Sequence, residues 1–337
     1  MSKTYTIAIP MAGLGTRMRP QTWSKPKPLI HLAGKTVLDY VLDQFKSIPH
    51  FKDAQFVLIL SPNQQDQVIP YVQANHPDKN VCYVIQEVMR GQSDALYLAK
   101  EHLKGPMLMT FSDTLIESDF AFLDEENLDG VAWVKEVPDP RRFGVAEVNK
   151  NGHITRLIEK PKEIENNLAV VGFYFFKNGG DLVNAIQQQL DKDISLNGEF
   201  FLADAINLMI KSGATMRVQS VNVWLDAGKP ETLLETNRYL LENGNDNSSA
   251  ASKREKVTVI PPVYIHPEAE IKASVIGPYV SISQGALIEN TVLKNSIVEQ
   301  GAIINSMVLE NSLIGRSAAV RGRAEIMNIG DNSWIEI

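Results

Sequence analysis

The chain is expected to fold as an α/β domain on a mostly parallel sheet, followed by a short parallel β-helix. Three observations predict this. Apolar runs of strand length alternate with longer helix-like stretches as far as residue 242, the pattern of a parallel sheet covered on both faces. Beyond residue 256 aliphatic residues return at every fifth or sixth position, with Gly, Asn and Ser between them. That spacing marks a β-helix, whose short flat faces each add one aliphatic side chain to a stacked interior. The 337 residues also exceed the roughly 250–300 that a single core organises, so two domains are expected.

Taken in order, strands are expected at 5–10, 56–61, 81–86, 107–112, 131–136, 145–149 and 170–176. Helices are expected at 37–47, 63–75, 93–102, 180–190, 202–212 and 231–242. In such sheets ligands sit at the carboxyl ends of the strands, which says where to look for a site. The stretch 242–256 is polar, rich in Asn and Ser, and has no periodic apolar face, so it reads as a loose connection. The expected division is a first domain over 1–243, a linker over 244–256 and a β-helix domain over 257–337. Its stacked interior would be Ile265, Ile271, Ile276, Ile282, Ile288, Leu293, Val298, Ile304, Leu309, Ile314 and Val320. So short a repeat has few coils and needs the first domain or another subunit over an open end.

Composition excludes several classes. With 44% apolar and 22% charged residues, wholesale disorder is ruled out. No apolar stretch approaches the length of a membrane span, and the first ten residues carry no signal-peptide pattern. One cysteine, Cys82, cannot form an internal disulfide or a cysteine-built zinc site. A net charge of −7 would repel nucleic acid and anionic membranes, so neither is expected as a partner and any phosphate must be held locally. The six histidines show no metal-binding spacing, and no G-x-S-x-G elbow is present. A soluble, cytoplasmic protein of a reducing compartment is expected.

The densest cluster of chemistry opens the chain. The first strand runs into Met11-Ala-Gly-Leu-Gly-Thr-Arg-Met-Arg-Pro20, followed by Lys25-Pro-Lys-Pro-Leu29. Gly13 and Gly15 let backbone N–H groups approach phosphate oxygens closely, and Arg17 and Lys27 add mobile positive charge. The competing phosphate motifs are absent. There is no G-x-x-x-x-G-K-[ST], and the third glycine of a dinucleotide loop is replaced by Met18. Taken alone, two glycines before a basic loop read as a turn and a solvated loop.

The whole string resembles the signature of the sugar-nucleotide pyrophosphorylases, which reads approximately L-A-G-G-x-G-T-R-L-x-P, a spacer, then P-K-P-L. Gly13, Gly15, Thr16, Arg17, Pro20, Pro26, Lys27, Pro28 and Leu29 fall on it without a gap. Pro10, Met11 and Ala12 replace its L-A-G. The first glycine of the pair is therefore Ala12, a small cost at a position that works through its backbone. The resemblance runs on to the end of the β-helix and is nearest to long-form glucose-1-phosphate thymidylyltransferases. It implies a Rossmann-like nucleotidyltransferase domain followed by a left-handed parallel β-helix that serves oligomer contacts.

Residue by residue, the resemblance places the nucleotide on Ala12, Gly13, Gly15 and Thr16, and makes Arg17 and Lys27 catalytic cations. Asp113, closing the apolar run 107–112, and Asp226, in Val223-Trp-Leu-Asp-Ala-Gly, fall on its two metal-binding aspartates. Two strand-end carboxylates suit magnesium (Mg2+), which takes few protein oxygens and shares its shell with phosphates and water. Phe143-Gly144-Val145, Ile158-Glu159-Lys160-Pro161 and Ala169-Val170-Val171-Gly172 match three sugar-phosphate motifs, implying contacts from Gly144, Glu159, Lys160 and Val170. Gln86 and Gly91 match the pyrimidine-selective branches, and a Gln amide offers the donor and acceptor that complement a pyrimidine imide edge.

The implied reaction joins a pyrimidine nucleoside triphosphate, dTTP first and UTP next, to a sugar 1-phosphate, glucose 1-phosphate by preference. Two other readings stand beside it: a purine-using enzyme, or a catalytically silent sensing subunit. A silent subunit would be expected to have lost Arg17, Lys27, Asp113 or Asp226, and all four are present. Acyl transfer on the β-helix wants a longer repeat with a catalytic histidine, whereas this one holds only His266 near its start.

Overall fold

A computed structural model of the chain describes residues 4–164, 166–323 and 334. It divides into two compact units that are not consecutive in sequence. The first comprises residues 1–30 and 35–233, the second 31–34 and 234–337. Residues 324–333 and 335–337 of the expected β-helix domain lie outside the described residues. Among the described residues no helix is long and apolar enough to cross a membrane.

The first unit follows the expected alternation. In chain order the elements are β1 (Thr6–Pro10), β2 (His31–Leu32), β3 (Lys35–Thr36), α1 (Val37–Asp43), β4 (Gln55–Leu60), α2 (Gln65–Asn75), β5 (Asn80–Ile85), α3 (Gln92–Leu98), β6 (Met107–Thr110) and β7 (Thr114–Ile116). They continue with β8 (Gly130–Glu136), β9 (Gly144–Val148), β10 (Ile154–Glu159), β11 (Leu168–Phe176), α4 (Gly179–Asp191), α5 (Leu202–Lys211), β12 (Met216–Ser220), β13 (Trp224–Asp226) and α6 (Pro230–Leu240). Of these, β2 belongs to the second unit and α6 runs from one into the other.

A nine-stranded sheet runs in the order β10-β9-β11-β6-β1-β4-β5, with β8 on β11 and β12 on β8. Strands β5, β4, β1 and β6 are parallel neighbours, and β6–β11 begins the antiparallel part. Because both faces of the parallel part are covered, its strands read as unbroken apolar runs; Ile7, Ala8, Ile9 and Val57 to Leu60 are fully buried. The chain leaves β1 for β4 and β5, then returns to β6 on β1's other side. The switch point between β1 and β6 is where this topology places a ligand crevice.

Six of these strands were not among those expected, and two of them, β2 and β3, are two-residue pairs. The apolar run of β10 is broken by Thr155 and Arg156, that of β12 by Arg217 and Gln219, and β7 and β13 are only three residues long. Each is defined by its partner strand rather than by an apolar run of its own. Helix α1 stops at Asp43, and the stretch expected at 93–102 divides into α3 and a single 3-10 turn, Lys100–His102.

The second unit is the left-handed β-helix. Three parallel four-stranded sheets stack strands 257–259, 274–276, 292–294 and 308–310 on one face, with equivalent sets on the other two. Of the eleven expected interior residues, Ile265 to Ile304 are buried, while Leu309, Ile314 and Val320 in the last described coil are partly exposed. The intervening Asn and Ser mark corners: Asn290, Asn295, Ser306, Asn311 and Ser317 all have positive φ, a conformation that Asn tolerates well.

The stretch expected as a loose linker differs. Residues 248–251 form a helical turn whose Ala251 joins the β-helix core. The Asn247 side chain bonds both the N–H and the C=O of Ile265, and Arg254 donates to the carbonyls of His266, Pro267 and Ala269. Composition hid this because the contacts are polar. They cover the first coil from within the same unit.

The second unit also holds the strap 31–34. The Ala33 N–H meets two buried acceptors, Asn237 Oδ1 and Ser281 Oγ, each at 3.1 Å, and His31 N–H donates to Glu299 Oε1. Gly34 has φ +91°, and a Cβ there would lie 2.5 Å from the Tyr264 ring. Gly34→Ala should therefore destabilise the protein by roughly 2–4 kcal/mol, from left-handed strain and overpacking. The measure is a lower urea midpoint at unchanged slope, and an unshifted midpoint would contradict the packing described.

Candidate active site

Four parallel strands end on the same side of the sheet, and each delivers a functional segment there. After β1 comes the glycine loop. Met18, fully buried, seats it, and Ala12 is buried, while Gly13, Thr16 and Arg17 stay exposed. Gly15 takes φ +61° and its carbonyl accepts from Thr22 Oγ1 at 2.8 Å. A Cβ on Gly15 would touch Cβ of Lys27 at 3.3 Å, so loop and lysine are neighbours.

From the end of β4 comes Gln64, which sequence reasoning missed. Its buried amide donates to the carbonyls of Met11 and Gly13 at 2.8 and 3.3 Å. Ser61 and Gln64 form a reciprocal helix cap. The S-x-x-Q spacing after a strand was the available signal. Those two bonds tie the carbonyls of the glycine loop to the end of β4.

After β6 the chain reaches Asp113. Antiparallel pairing of β13 with β7 sets Asp226 opposite Thr114, and the Ala227 N–H donates to the Asp113 carbonyl at 2.9 Å. A Cβ on Gly228 would lie 2.7 Å from Asp226 Oδ1 and 3.1 Å from Asp113 Oδ2, so both carboxylates converge on one point of backbone. Lys27 donates to Asp113 Oδ2. Their side chains are only 14% and 16% exposed. Burial pushes the Asp113 carboxyl up, but the Lys27 ammonium, aided by Arg17, outweighs it and holds it below the ordinary carboxylate range. Asp226 is shifted the other way, by burial first and then by the neighbouring Asp113, against bonds from the Gly228 N–H and Thr232 hydroxyl.

Across the antiparallel part, β9 starts and β10 ends at this same side of the sheet. Gly144 pairs with Glu159, and a Cβ on Gly144 would sit 3.2 Å from Glu159 Oε2. Burial raises the Glu159 carboxyl, with Lys160 opposing and Asp204 adding. Lys160, at φ +47°, donates its N–H to Phe143 and carries its ammonium 3.9 Å from Glu159 Oε1 and 5.0 Å from the Phe201 ring. Val170, buried, opens the irregularity that shifts β11 against β8 before Tyr174. The Phe143 ring meets Trp224 edge-on at 4.9 Å, tying this group to the strand that bears Asp226.

From the end of β5 comes Gln86, and Gly91 opens α3. Phe200 clamps Gly91 so closely that a Cβ there would lie 2.6 Å from the Phe200 backbone. Phe200 and Phe201 thus join the Gln86 group to Lys160, a link with no signal in the sequence. Gln86 differs from expectation in one respect. Its NH2 donates to Asp94 Oδ2 and to the Gly91 carbonyl, at 3.0 and 3.3 Å, so its donor face is engaged within the protein.

Comparison with known proteins gives the family. The profile of the family described as nucleotidyl transferase matches residues 8–243. The bifunctional protein GlmU of Methanococcus vannielii is 30% identical over 239 residues, covering 69% of this chain and 54% of that protein. The chain therefore spans about half the length of that relative. UTP–glucose-1-phosphate uridylyltransferase AglF of Haloferax volcanii is 28% identical over 238 residues, 68% of this chain and 94% of AglF. The solved nucleoside-diphosphate-sugar pyrophosphorylase of Vibrio cholerae superposes with a TM-score of 0.61 at 20% identity, covering 69% of this chain and 99% of that one. At that identity the likeness concerns the fold.

Proposed function

The chain belongs to the nucleotidyl transferase family, and from that premise we propose that it joins a pyrimidine nucleoside triphosphate to a sugar 1-phosphate, releasing pyrophosphate. The observation that carries this reading is the convergence of Lys27, Asp113 and Asp226 beside a glycine loop at the β1–β6 switch point. Glucose 1-phosphate is the proposed sugar substrate. The name of AglF supports a pyrimidine base and puts UTP beside dTTP.

A sugar phosphate oxygen attacks the α-phosphorus, forming one P–O bond as the bond to the β-phosphate breaks. The attacking oxygen is already anionic, so no general base is required. The protein must align two repelling anions and neutralise the charge that develops. The glycine-loop N–H groups cradle the triphosphate, Arg17 holds the departing pyrophosphate through its fork of donors, and Lys27 supplies a point charge at the α-phosphate. Glu159 accepts sugar hydroxyls and Lys160 meets the sugar phosphate, with Gly144 giving the backbone room to approach.

Asp113 and Asp226 fit magnesium. Two carboxylates forced together, one raised by the other, make an oxygen set that a hard cation relieves while keeping sites for water and phosphate. When bound, the ion supplies charge neutralisation across the triphosphate.

The test is magnesium-dependent pyrophosphate release with glucose 1-phosphate and each of dTTP, UTP, ATP, GTP and CTP. Release with dTTP or UTP is expected. Release with a purine alone would keep the reaction and overturn the base. Silence with all five, and with other sugar phosphates, would favour the sensing subunit.

A further inference from the structure

Asp94 has no part in the reading above, yet it is the most constrained charge near Gln86. It stands in the first turn of α3 and is 2% exposed. Its Oδ2 accepts from Gln86 Nε2 at 3.0 Å and its Oδ1 from Arg90 Nη2 at 2.6 Å. Gln86 is itself only 3% exposed, and the same Nε2 donates to the Gly91 carbonyl at 3.3 Å. An ionised carboxylate and a carbonyl are acceptors only. Both contacts are satisfied only when Gln86 turns its NH2 towards them. The reversed amide would set its oxygen against two acceptors and forfeit both bonds in a buried site.

We propose that Asp94 is a specificity-determining positioning residue that holds the Gln86 amide in one orientation, leaving its carbonyl oxygen to read the base. This rests on the reading of Gln86 as a base contact. An oxygen reader selects a ring N–H and rejects a ring acceptor. Uracil and thymine present N–H at ring position 3, whereas cytosine presents an unprotonated acceptor nitrogen there. Arg90, on the exposed side, holds the other oxygen of Asp94 and so aligns the carboxylate. The competing account makes Asp94 only an acidic residue in a first helical turn, paired with an arginine four residues earlier.

The experiment measures kcat/KM for UTP and CTP at saturating glucose 1-phosphate in wild type, Asp94→Asn, Asp94→Ser and Gln86→Ala. Asparagine can offer its own NH2 to Gln86, which frees the amide to reverse. The UTP/CTP ratio should fall at least about tenfold in Asp94→Asn, as expected for exchanging one hydrogen-bond donor for an acceptor at a reading position. Asp94→Ser, whose hydroxyl donates or accepts, should relax the ratio to a lesser degree and guards against misfolding of the first variant. An unchanged ratio in both folded variants, or an equal loss with both nucleotides, would overturn the proposal. Gln86→Ala separates the two levels. If it keeps the wild-type ratio, the base-reading role of Gln86 fails. If it loses that ratio while the Asp94 variants keep it, only the role of Asp94 fails.

Discussion

Lys27→Met should lower turnover by roughly 10²–10³-fold, the usual cost of one preorganised electrostatic donor, and should also weaken the fold. The second effect follows from the pairing of Lys27 with Asp113 in a largely buried site. Removing the ammonium takes away the largest of the influences that hold Asp113 low and leaves that carboxylate facing Asp226. Breaking such a pair from one side costs about 3 kcal/mol. The sign with pH is fixed by the direction of the Asp113 shift. A carboxyl held low in the folded state contributes stability above its ordinary range and loses it as pH falls through the depressed value. Wild type and variant should therefore differ most near neutrality and converge in acid. Urea unfolding at several pH values measures this. Adding Asp113→Asn should restore stability while turnover stays lost. A variant as stable as wild type at neutral pH would show that the pair contributes nothing to folding.

Asp226→Asn should give the opposite sign on stability with the larger loss of activity. Its carboxyl is pushed up by burial and then by Asp113. The folded state therefore binds its proton more tightly than the unfolded chain does. The penalty is absent below the ordinary carboxylate pKa and grows as pH rises through the raised one. A neutral amide removes that penalty: its one oxygen can keep the Gly228 N–H bond that Oδ1 accepts, and its NH2, standing where Oδ2 was, can donate to the Thr232 hydroxyl. The melting temperature without metal should rise at neutral pH. Magnesium-dependent turnover should fall by about 10³-fold or more, because one of two proposed magnesium ligands is gone. Added magnesium should raise the melting temperature of wild type, by mass action on the folded state, and leave that of the variant unmoved. Wild-type turnover in Asp226→Asn would remove the metal assignment.

What could be read from the sequence was whatever a short window contains. The unbroken run Phe56 to Leu60 announces a strand buried on both faces, and the spaced aliphatics from Ile265 onward announce a stacked coil. Gly13 and Gly15 carry their meaning locally, as does an aspartate closing an apolar strand. The rest depends on contacts between distant segments. β13 becomes a strand only against β7, and that pairing, not any motif, brings Asp226 to Asp113. Gln64 supports Gly13 of the glycine loop from 51 residues away. Phe200 and Phe201 join Gly91 to Lys160 although nothing in their own neighbourhood marks them. Asp94 reads as an ordinary acidic residue until Gln86 is seen to lean on it.

The strap at 31–34 has a consequence for how such a chain can be rearranged. The second unit owns four residues lying only a few positions beyond Lys27. No single cut separates the two units cleanly. A fragment ending at residue 233 keeps the strap but discards Asn237, Ser281 and Glu299, so the Ala33 N–H loses both acceptors, at about 1–3 kcal/mol if it stays buried. Exchange of the β-helix between relatives must likewise carry two separate stretches of gene, one of them twelve bases long. A substitution in the strap and one at Asn237 or Ser281 should therefore couple in their effect on stability rather than add.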